Sequence, residues 1–171
     1  MKWHWLGLVC SRAGEWALNT ERIGILGFSA GGETAALTSL FQERTYSAVD
    51  DADQAGHRPD FTALIHGAGV VDRATLEMHD YVRVDKDSPP TFLAHAYDDG
   101  VPVQNSVRLF LELKQQGVPA ELHVYSKGGH GYGLRETETP VTTWHHRCAD
   151  WMRASGWLSP AVADSARKGK G

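Results

Sequence analysis

Hydrophobic positions divide the chain into alternating helix-like and strand-like segments. Segment 3–18 carries apolar residues at helical spacing, which predicts an amphipathic helix. Segment 23–28, from Ile23 to Phe28, is apolar without polar alternation, which is typical of a strand buried on both faces. Segments 61–66, 91–96 and 121–125 predict three further strands, and segments 31–42, 103–116 and 142–155 predict helices.

This order of elements predicts an α/β fold with a mainly parallel sheet of about four strands, flanked by helices. A chain of 171 residues has room for one core, so we expect a single domain over residues 1–158. Segment 159–171 is small and polar, which predicts a flexible tail. Segment 43–59 is polar and acidic and is expected to be a surface loop.

Composition excludes several classes of function. The formal net charge is −4 and no basic run precedes the tail, so we expect no nucleic-acid partner. No apolar stretch approaches the ~20 residues of a membrane span, and the first five residues lack the apolar core of a signal peptide. Cys10 and Cys148 form neither a disulfide framework nor a metal-binding spacing, so no metal site is predicted.

The strongest chemical motif is Gly27-Phe28-Ser29-Ala30-Gly31, which matches the G-x-S-x-G nucleophile elbow. A predicted buried strand ends at Phe28 and a predicted helix begins at Gly31, which is the context that the motif requires. We expect the two glycines to let strand and helix crowd together behind the turn. The alternative is a tight glycine turn with a bystander serine.

A serine hydroxyl needs a base, and His130 is the favoured candidate. It follows the fourth predicted strand in a loop where neighbouring glycines allow sharp turns. The other eight histidines are interpreted as packing or surface residues. Three of them lie in predicted strands (His66, His95, His123), and the rest lie on helices or in loops (His4, His57, His79, His145, His146).

The carboxylate that orients such a histidine is expected after the third strand, in the chain order Ser, Asp, His. Asp98 and Asp99 both lie there, and their spacing from the strand does not separate them. The acidic residues Asp50, Asp51 and Asp53 are interpreted as a solvated charge run.

Three segments taken together resemble the C-terminal half of an α/β-hydrolase of the esterase/lipase type. They are residues 22–32, residues 89–95, and residues 117–125 continuing into 128–131. The resemblance extends from about Trp3 to Leu158 and is nearest to the bacterial acetyl-esterase and xylan-esterase-like group.

In such hydrolases the triad aspartate stands three residues before the valine of a D-x-x-V-P segment, so the resemblance implies Asp98 over Asp99. It further implies Ser29 as nucleophile, His130 as general base and acid, and the Ala30 N–H as one oxyanion donor. No metal or organic cofactor is implied, and the expected partner is a small ester. The implied function is a serine carboxylesterase for acetyl-type esters, with acetylated carbohydrate as a candidate substrate.

The resemblance also implies what this chain lacks: the earlier strands of the fold and an H-G-G-G-type loop that supplies the second oxyanion donor. Segment 23–28 would then be an exposed edge strand, open to pairing with another chain. Three interpretations follow: a fragment of a larger esterase, which we favour, an oligomer joined through Ile23 to Phe28, or an inactive hydrolase. Alternative functions are a prolyl-oligopeptidase-like peptidase and a non-catalytic interaction protein. The compartment is left open.

Overall fold

The computed structural model of the protein describes residues 4–41, 47–48, 50–54 and 58–159. Within these residues, four parallel strands form one sheet in the order β1-β2-β3-β4. The strands are β1 (Gly24–Phe28), β2 (Phe61–Ile65), β3 (Thr91–Ala96) and β4 (Ala120–Tyr125). The prediction of a parallel α/β sheet of about four strands is therefore confirmed.

Helices cover both faces of this sheet. They are α1 (His4–Ser11), α2 (Ala30–Leu40), α3 (Gln104–Gln115) and α4 (Trp144–Ala154), with short 3-10 helices at Asp51–Gln54 and Pro140–Thr143. Side chains of α2 and α3 pack with Leu64 and Leu93 on one face. On the other face, α4 packs with Ile65 and Phe92. Because alternate strand residues enter two different cores, the strands lack the polar alternation of a half-exposed sheet.

The first helix is shorter than its hydrophobic pattern predicts. It ends at Ser11, and the chain then turns so that the Leu18 N–H donates to the Ala13 carbonyl oxygen over 2.8 Å. Ala17 adopts a positive φ of 52°, which no α-helix contains. Gly14 lies in this segment, and glycine is a weak helix former.

Much of the predicted acidic loop, segment 43–59, lies outside the described residues, but part of what is described is helical. A 3-10 helix runs over Asp51–Gln54, and Ala52 and Asp53 are buried in it. The interpretation of Asp53 as part of a solvated run is therefore wrong. The expected tail lies outside the described residues beyond residue 159.

Strand β1 is the edge of the sheet among the described residues, where it pairs on one side with β2. Leu26 in its centre is 48% exposed. The expected contact with another chain through this strand stays a prediction. No helix within the described ranges is long and apolar enough to cross a membrane.

Glycines allow close packing at the turn between β1 and α2. A Cβ added to Gly27 would lie 2.2 Å from the Gly31 carbonyl oxygen, and one added to Gly32 would lie 2.7 Å from the Gly67 Cα. Gly31 itself has nothing within 4 Å of an added Cβ. The crowding therefore requires glycine at positions 27 and 32, not at position 31 as the motif alone implies.

This difference predicts opposite outcomes for two substitutions in the same motif. Gly27→Ala should destabilise the protein by about 1–3 kcal/mol, because its Cβ meets rigid backbone. Gly31→Ala should leave stability within about 0.5 kcal/mol or raise it, because the site is open and alanine favours α2. Urea unfolding of both variants measures the difference. Equal destabilisation would contradict the packing described here.

Candidate active site

Ser29 lies at a strained turn between β1 and α2. Its φ of 52° and ψ of −120° fall in a region that non-glycine residues rarely adopt. The surrounding backbone holds this conformation, because the Ser29 N–H donates to the Ile65 carbonyl oxygen over 3.1 Å. The Ser29 carbonyl oxygen in turn accepts hydrogen bonds from the N–H groups of Gly32, Glu33 and Ala68. The turn therefore presents the Ser29 hydroxyl at the carboxyl edge of the sheet.

His130 reaches this hydroxyl from the loop that follows β4. Its Nε2 lies 2.8 Å from the Ser29 Oγ, within hydrogen-bond distance. Gly129 and Gly131 on either side adopt positive φ angles of 60° and 73°, which lets the loop bend back over the sheet. The pairing of Ser29 with His130 that the sequence predicts is the arrangement that the structure contains.

Asp99 is the carboxylate that binds the other side of the His130 ring. Its Oδ1 and Oδ2 lie 2.8 Å and 2.9 Å from His130 Nδ1. The Val101 N–H also donates to Asp99 Oδ1 over 2.7 Å. The Asp99 side chain is fully buried, whereas His130 is 38% exposed. A buried carboxylate with these two donors fixes the orientation of the imidazole.

The prediction of Asp98 in this position is wrong. Asp98 Oδ1 accepts hydrogen bonds from the backbone N–H groups of Gly128 and Gly129, over 2.9 Å and 2.8 Å. Asp98 is exposed and makes its contacts to the loop that carries His130, not to the His130 ring. It therefore shapes the loop from outside while Asp99 contacts the imidazole.

A turn at the end of β3 explains the exchange of the two aspartates. After Ala96 the chain turns through Tyr97 and Asp98, and the Asp99 N–H donates back to the Ala96 carbonyl oxygen over 3.2 Å. This turn directs Asp98 outward and Asp99 inward. The position of an aspartate relative to Val101 in the D-x-x-V-P pattern therefore does not identify which aspartate contacts His130.

His95 contacts the same loop from within strand β3. Its Nδ1 lies 2.8 Å from the Ser106 Oγ, and its Nε2 lies 3.2 Å from the Val101 carbonyl oxygen and 3.6 Å from Asp99 Oδ2. Burial lowers the pKa of His95, which favours the neutral imidazole. The sequence interpretation of His95 as a packing residue therefore agrees with its place in the structure.

His66 is a neighbour of the site that sequence reasoning missed. It follows β2 directly, its φ is 42°, and only 2% of it is exposed. The His66 and His130 ring centroids lie 4.6 Å apart at an angle of 61°, and the Tyr132 ring lies 4.7 Å away. The sequence feature that indicates a site role for His66 is its position at the carboxyl end of a predicted parallel strand, because ligands bind at that edge of such sheets.

The electrostatic state of His66 follows from its burial. Burial, and then the charge on nearby His130, lower the pKa of His66 to about 4. Neither ring nitrogen has a hydrogen-bond partner among the described residues. Among the residues that the structure describes, one group of side chains could hold a metal ion: His66, Asp99 and His130.

Ala30 lies where the oxyanion donor is expected. It is the first residue of α2 and directly follows Ser29. The first four N–H groups of a helix have no partner within that helix, so the Ala30 N–H is available to an anion. Ser29, His130 and Asp99 thus form a continuous chain of hydrogen bonds beside a helix N-terminus. A serine, an imidazole and a carboxylate in this order are groups that can support acyl transfer.

The sheet and the three loops at its carboxyl edge define an α/β-hydrolase. The family model described as the prolyl oligopeptidase family, Peptidase_S9, matches residues 12–155. The chain therefore belongs to the prolyl oligopeptidase family. The resemblance to α/β-hydrolase esterases that the sequence suggested is confirmed by the relatives that follow.

Esterases are prominent among the similar proteins. The chain is 24% identical over 140 residues to an acetylxylan esterase of Xylanibacter ruminicola, covering 74% of this chain and 29% of that protein. It is 31% identical to an acetyl ester-xyloside bifunctional hydrolase of Caldicellulosiruptor lactoaceticus, whose structure matches with a TM-score of 0.78 over 90% of this chain and 64% of that one.

A carboxylesterase of Lactobacillus plantarum shares the fold at 21% identity and a TM-score of 0.72, over 91% of this chain and 66% of that one. The chain thus spans less than two thirds of the length of the first two relatives.

The lowered pKa of His66 predicts a loss of stability in acid. Its pKa falls from 6.5 to about 4 on folding, so between these values the unfolded chain binds more protons and the folded state loses stability as the pH falls. Replacing His66 with Phe removes this linkage. Urea unfolding at about pH 7 and about pH 4.5 should show a smaller acid loss in His66→Phe than in the wild type. An equal loss would show that His66 does not titrate in this way.

Proposed function

We propose that the protein is a serine carboxylesterase that hydrolyses small acyl esters of the acetyl type through Ser29, His130 and Asp99. The observation that carries this proposal is the pair of 2.8 Å contacts, from the Ser29 Oγ to His130 Nε2 and from His130 Nδ1 to Asp99 Oδ1. A serine with a hydrogen-bonded base, itself oriented by a buried carboxylate, is the constellation of nucleophilic acyl transfer.

The chemistry proceeds in two steps. His130 Nε2 takes the Ser29 proton as the Ser29 Oγ attacks the ester carbonyl, and the resulting imidazolium then protonates the leaving alcohol. In the second step His130 removes a proton from water, which attacks the acyl-enzyme, and the imidazolium then returns that proton to the Ser29 Oγ as the bond from this oxygen to the acyl group breaks and the acid leaves. Asp99 holds the proton of His130 on Nδ1, so that Nε2 remains the acceptor.

The Ala30 N–H supplies one donor to the oxyanion that forms in each step. Loss of a single such donor typically reduces kcat by about 10²–10³.

Acetylated carbohydrate is the substrate class that the similar proteins favour. Two relatives bear names that specify acetylxylan or acetyl ester-xyloside substrates, and one of them is 31% identical to this chain. Hydrolysis of acetylated xylo-oligosaccharides is therefore the first reaction to assay. A second candidate is peptide hydrolysis, which the family description favours.

Two adjacent aspartates provide a matched test of the proposed triad. Asp99→Asn should reduce kcat for p-nitrophenyl acetate by about 10⁴, because an amide cannot hold the His130 tautomer. Asp98→Asn should remain within about tenfold of the wild type, because its amide oxygen still accepts the backbone N–H groups of the loop. Steady-state kinetics decide between them. A larger loss in Asp98→Asn would return the triad role to Asp98.

A fluorophosphonate probe tests the nucleophile without assuming a substrate. The probe should label the wild type and spare both Ser29→Ala and His130→Ala, because labelling needs the hydroxyl and its base. Probe-reactive protein is then offered acetylated xylo-oligosaccharides and proline-containing peptides. Ester turnover alone supports the proposed function, and peptide turnover alone supports the second candidate. Absence of labelling in folded protein would favour a non-catalytic role.

A further inference from the structure

We infer that His66, His130 and Asp99 form an inhibitory binding site for a divalent transition-metal ion, for which zinc is the best fit. Each residue offers one ligand atom, and the three atoms lie within 4.8 Å of one another. Two imidazole nitrogens and a carboxylate oxygen are a donor set that zinc accepts in proteins. The site shares His130 and Asp99 with the hydrogen-bonded chain that includes Ser29, and His66 is its one ligand from outside that chain.

His66 is the residue that points to a ligand. Its side chain is almost fully buried, yet neither Nδ1 nor Nε2 has a hydrogen-bond partner among the described residues. A buried polar group without a partner is unfavourable, and in native proteins such groups call for an explanation. Binding of a metal ion by one His66 nitrogen would satisfy it.

The backbone of His66 gives a second sign that this position is not filled for packing alone. Its φ of 42° is strained for a residue with a side chain, and such strain concentrates at functional sites. Phe28 and Tyr132 surround the ring, with centroids 5.8 Å and 4.7 Å away. An aromatic hydrocarbon would suit these neighbours better than an imidazole with two unpartnered nitrogens.

The three ligands must close slightly around an ion. Zinc bonds of about 2.0–2.2 Å place tetrahedral ligand atoms roughly 3.3 Å apart. The three ligand atoms lie within 4.8 Å of one another, so the widest pair closes by at most about 1.5 Å. His130 can supply this movement, because it is partly exposed and lies between Gly129 and Gly131, which have positive φ angles. Asp99 is fixed by the Val101 N–H and offers its carboxylate from a buried position.

Metal binding would remove the base from Ser29. An ion on His130 Nε2 takes the lone pair that accepts the Ser29 proton. An ion on Nδ1 shifts the remaining proton of the neutral ring to Nε2, which then donates and no longer accepts. An ion on Nε2 therefore replaces the hydrogen bond from His130 to Ser29. An ion on Nδ1 replaces the hydrogen bond from His130 to Asp99. The inhibition rests on the proposed function, whereas the binding does not.

The test measures binding and nucleophile reactivity separately in the full chain. Titration calorimetry with Zn²⁺ at neutral pH should show one site per wild-type molecule. His66→Phe keeps a ring but has no ligand atom and should weaken binding at least about tenfold, since even indirect neighbours of a metal contribute that much. His66→Asn is the second variant, because asparagine tolerates a positive φ and secures the test if His66→Phe does not fold.

His146→Phe is the matched control. The rings of His145 and His146 lie 4.0 Å apart on α4, which makes them the competing histidine pair for an adventitious surface ion. This variant should bind Zn²⁺ as the wild type does. Unchanged affinity in both His66 variants, or loss of binding in His146→Phe, would overturn the proposed site.

Fluorophosphonate labelling then separates the two proposals. Zn²⁺ should block labelling of Ser29 in the wild type, a chelator should restore it, and His66→Phe should be labelled at the same Zn²⁺ concentration. Labelling that Zn²⁺ leaves unchanged in the wild type overturns the inhibitory site but leaves the esterase proposal intact. Zn²⁺ binding that depends on His66, in a protein that the probe never labels, supports the metal site and counts against the esterase.

Discussion

The buried carboxylate of Asp99 is the interaction on which the rest of the site depends. Its side chain has no exposure to solvent, so its charge must be compensated by partners within the protein. Val101 supplies a backbone N–H and His130 supplies a ring N–H, at 2.7 Å and 2.8 Å from Oδ1. The Val101 bond fixes the carboxylate within the loop after β3, and the His130 bond joins this loop to the one after β4 and orients the ring toward Ser29.

The parallel sheet brings these loops together. β1, β2, β3 and β4 are adjacent in chain order, so the loops that follow them emerge side by side at one edge. Ser29 follows β1, His66 follows β2, Asp99 follows β3 and His130 follows β4. The segment after each strand thus places one side chain at the carboxyl edge of the sheet. The cores on both faces of the sheet hold these positions relative to one another.

Local patterns in the sequence predict the strands and the residues at their ends. Apolar runs identified the four strands, and the elbow motif and its flanking elements identified Ser29, because strand burial and glycine turns leave clear signatures. His130 was recognisable from the glycines around it. These predictions need no knowledge of how distant residues meet, which is why they agree with the structure.

The remaining features depend on tertiary geometry. Asp98 and Asp99 are chemically identical neighbours, and only the turn after Ala96 decides which of them is buried. Crowding at Gly27 and Gly32 depends on how β1, α2 and the chain after β2 approach one another. The apolar pattern places His66 at the end of a predicted strand. It does not show the contact of His66 with His130, because that contact joins positions far apart in the chain. Local pattern does not encode such contacts.

The hydrogen-bonded chain from Ser29 through His130 to Asp99 requires one tautomer of His130, and nitrogen NMR of protein labelled with ¹⁵N-histidine measures which tautomer is present. The structure predicts that at neutral pH the proton of the neutral His130 ring resides on Nδ1, which donates to Asp99, while Nε2 is unprotonated and faces Ser29. Spectra with a protonated Nδ1 and a bare Nε2 would support the hydrogen-bonded chain. A His130 ring with its proton on Nε2, or one that exchanges freely between the two tautomers, would contradict it.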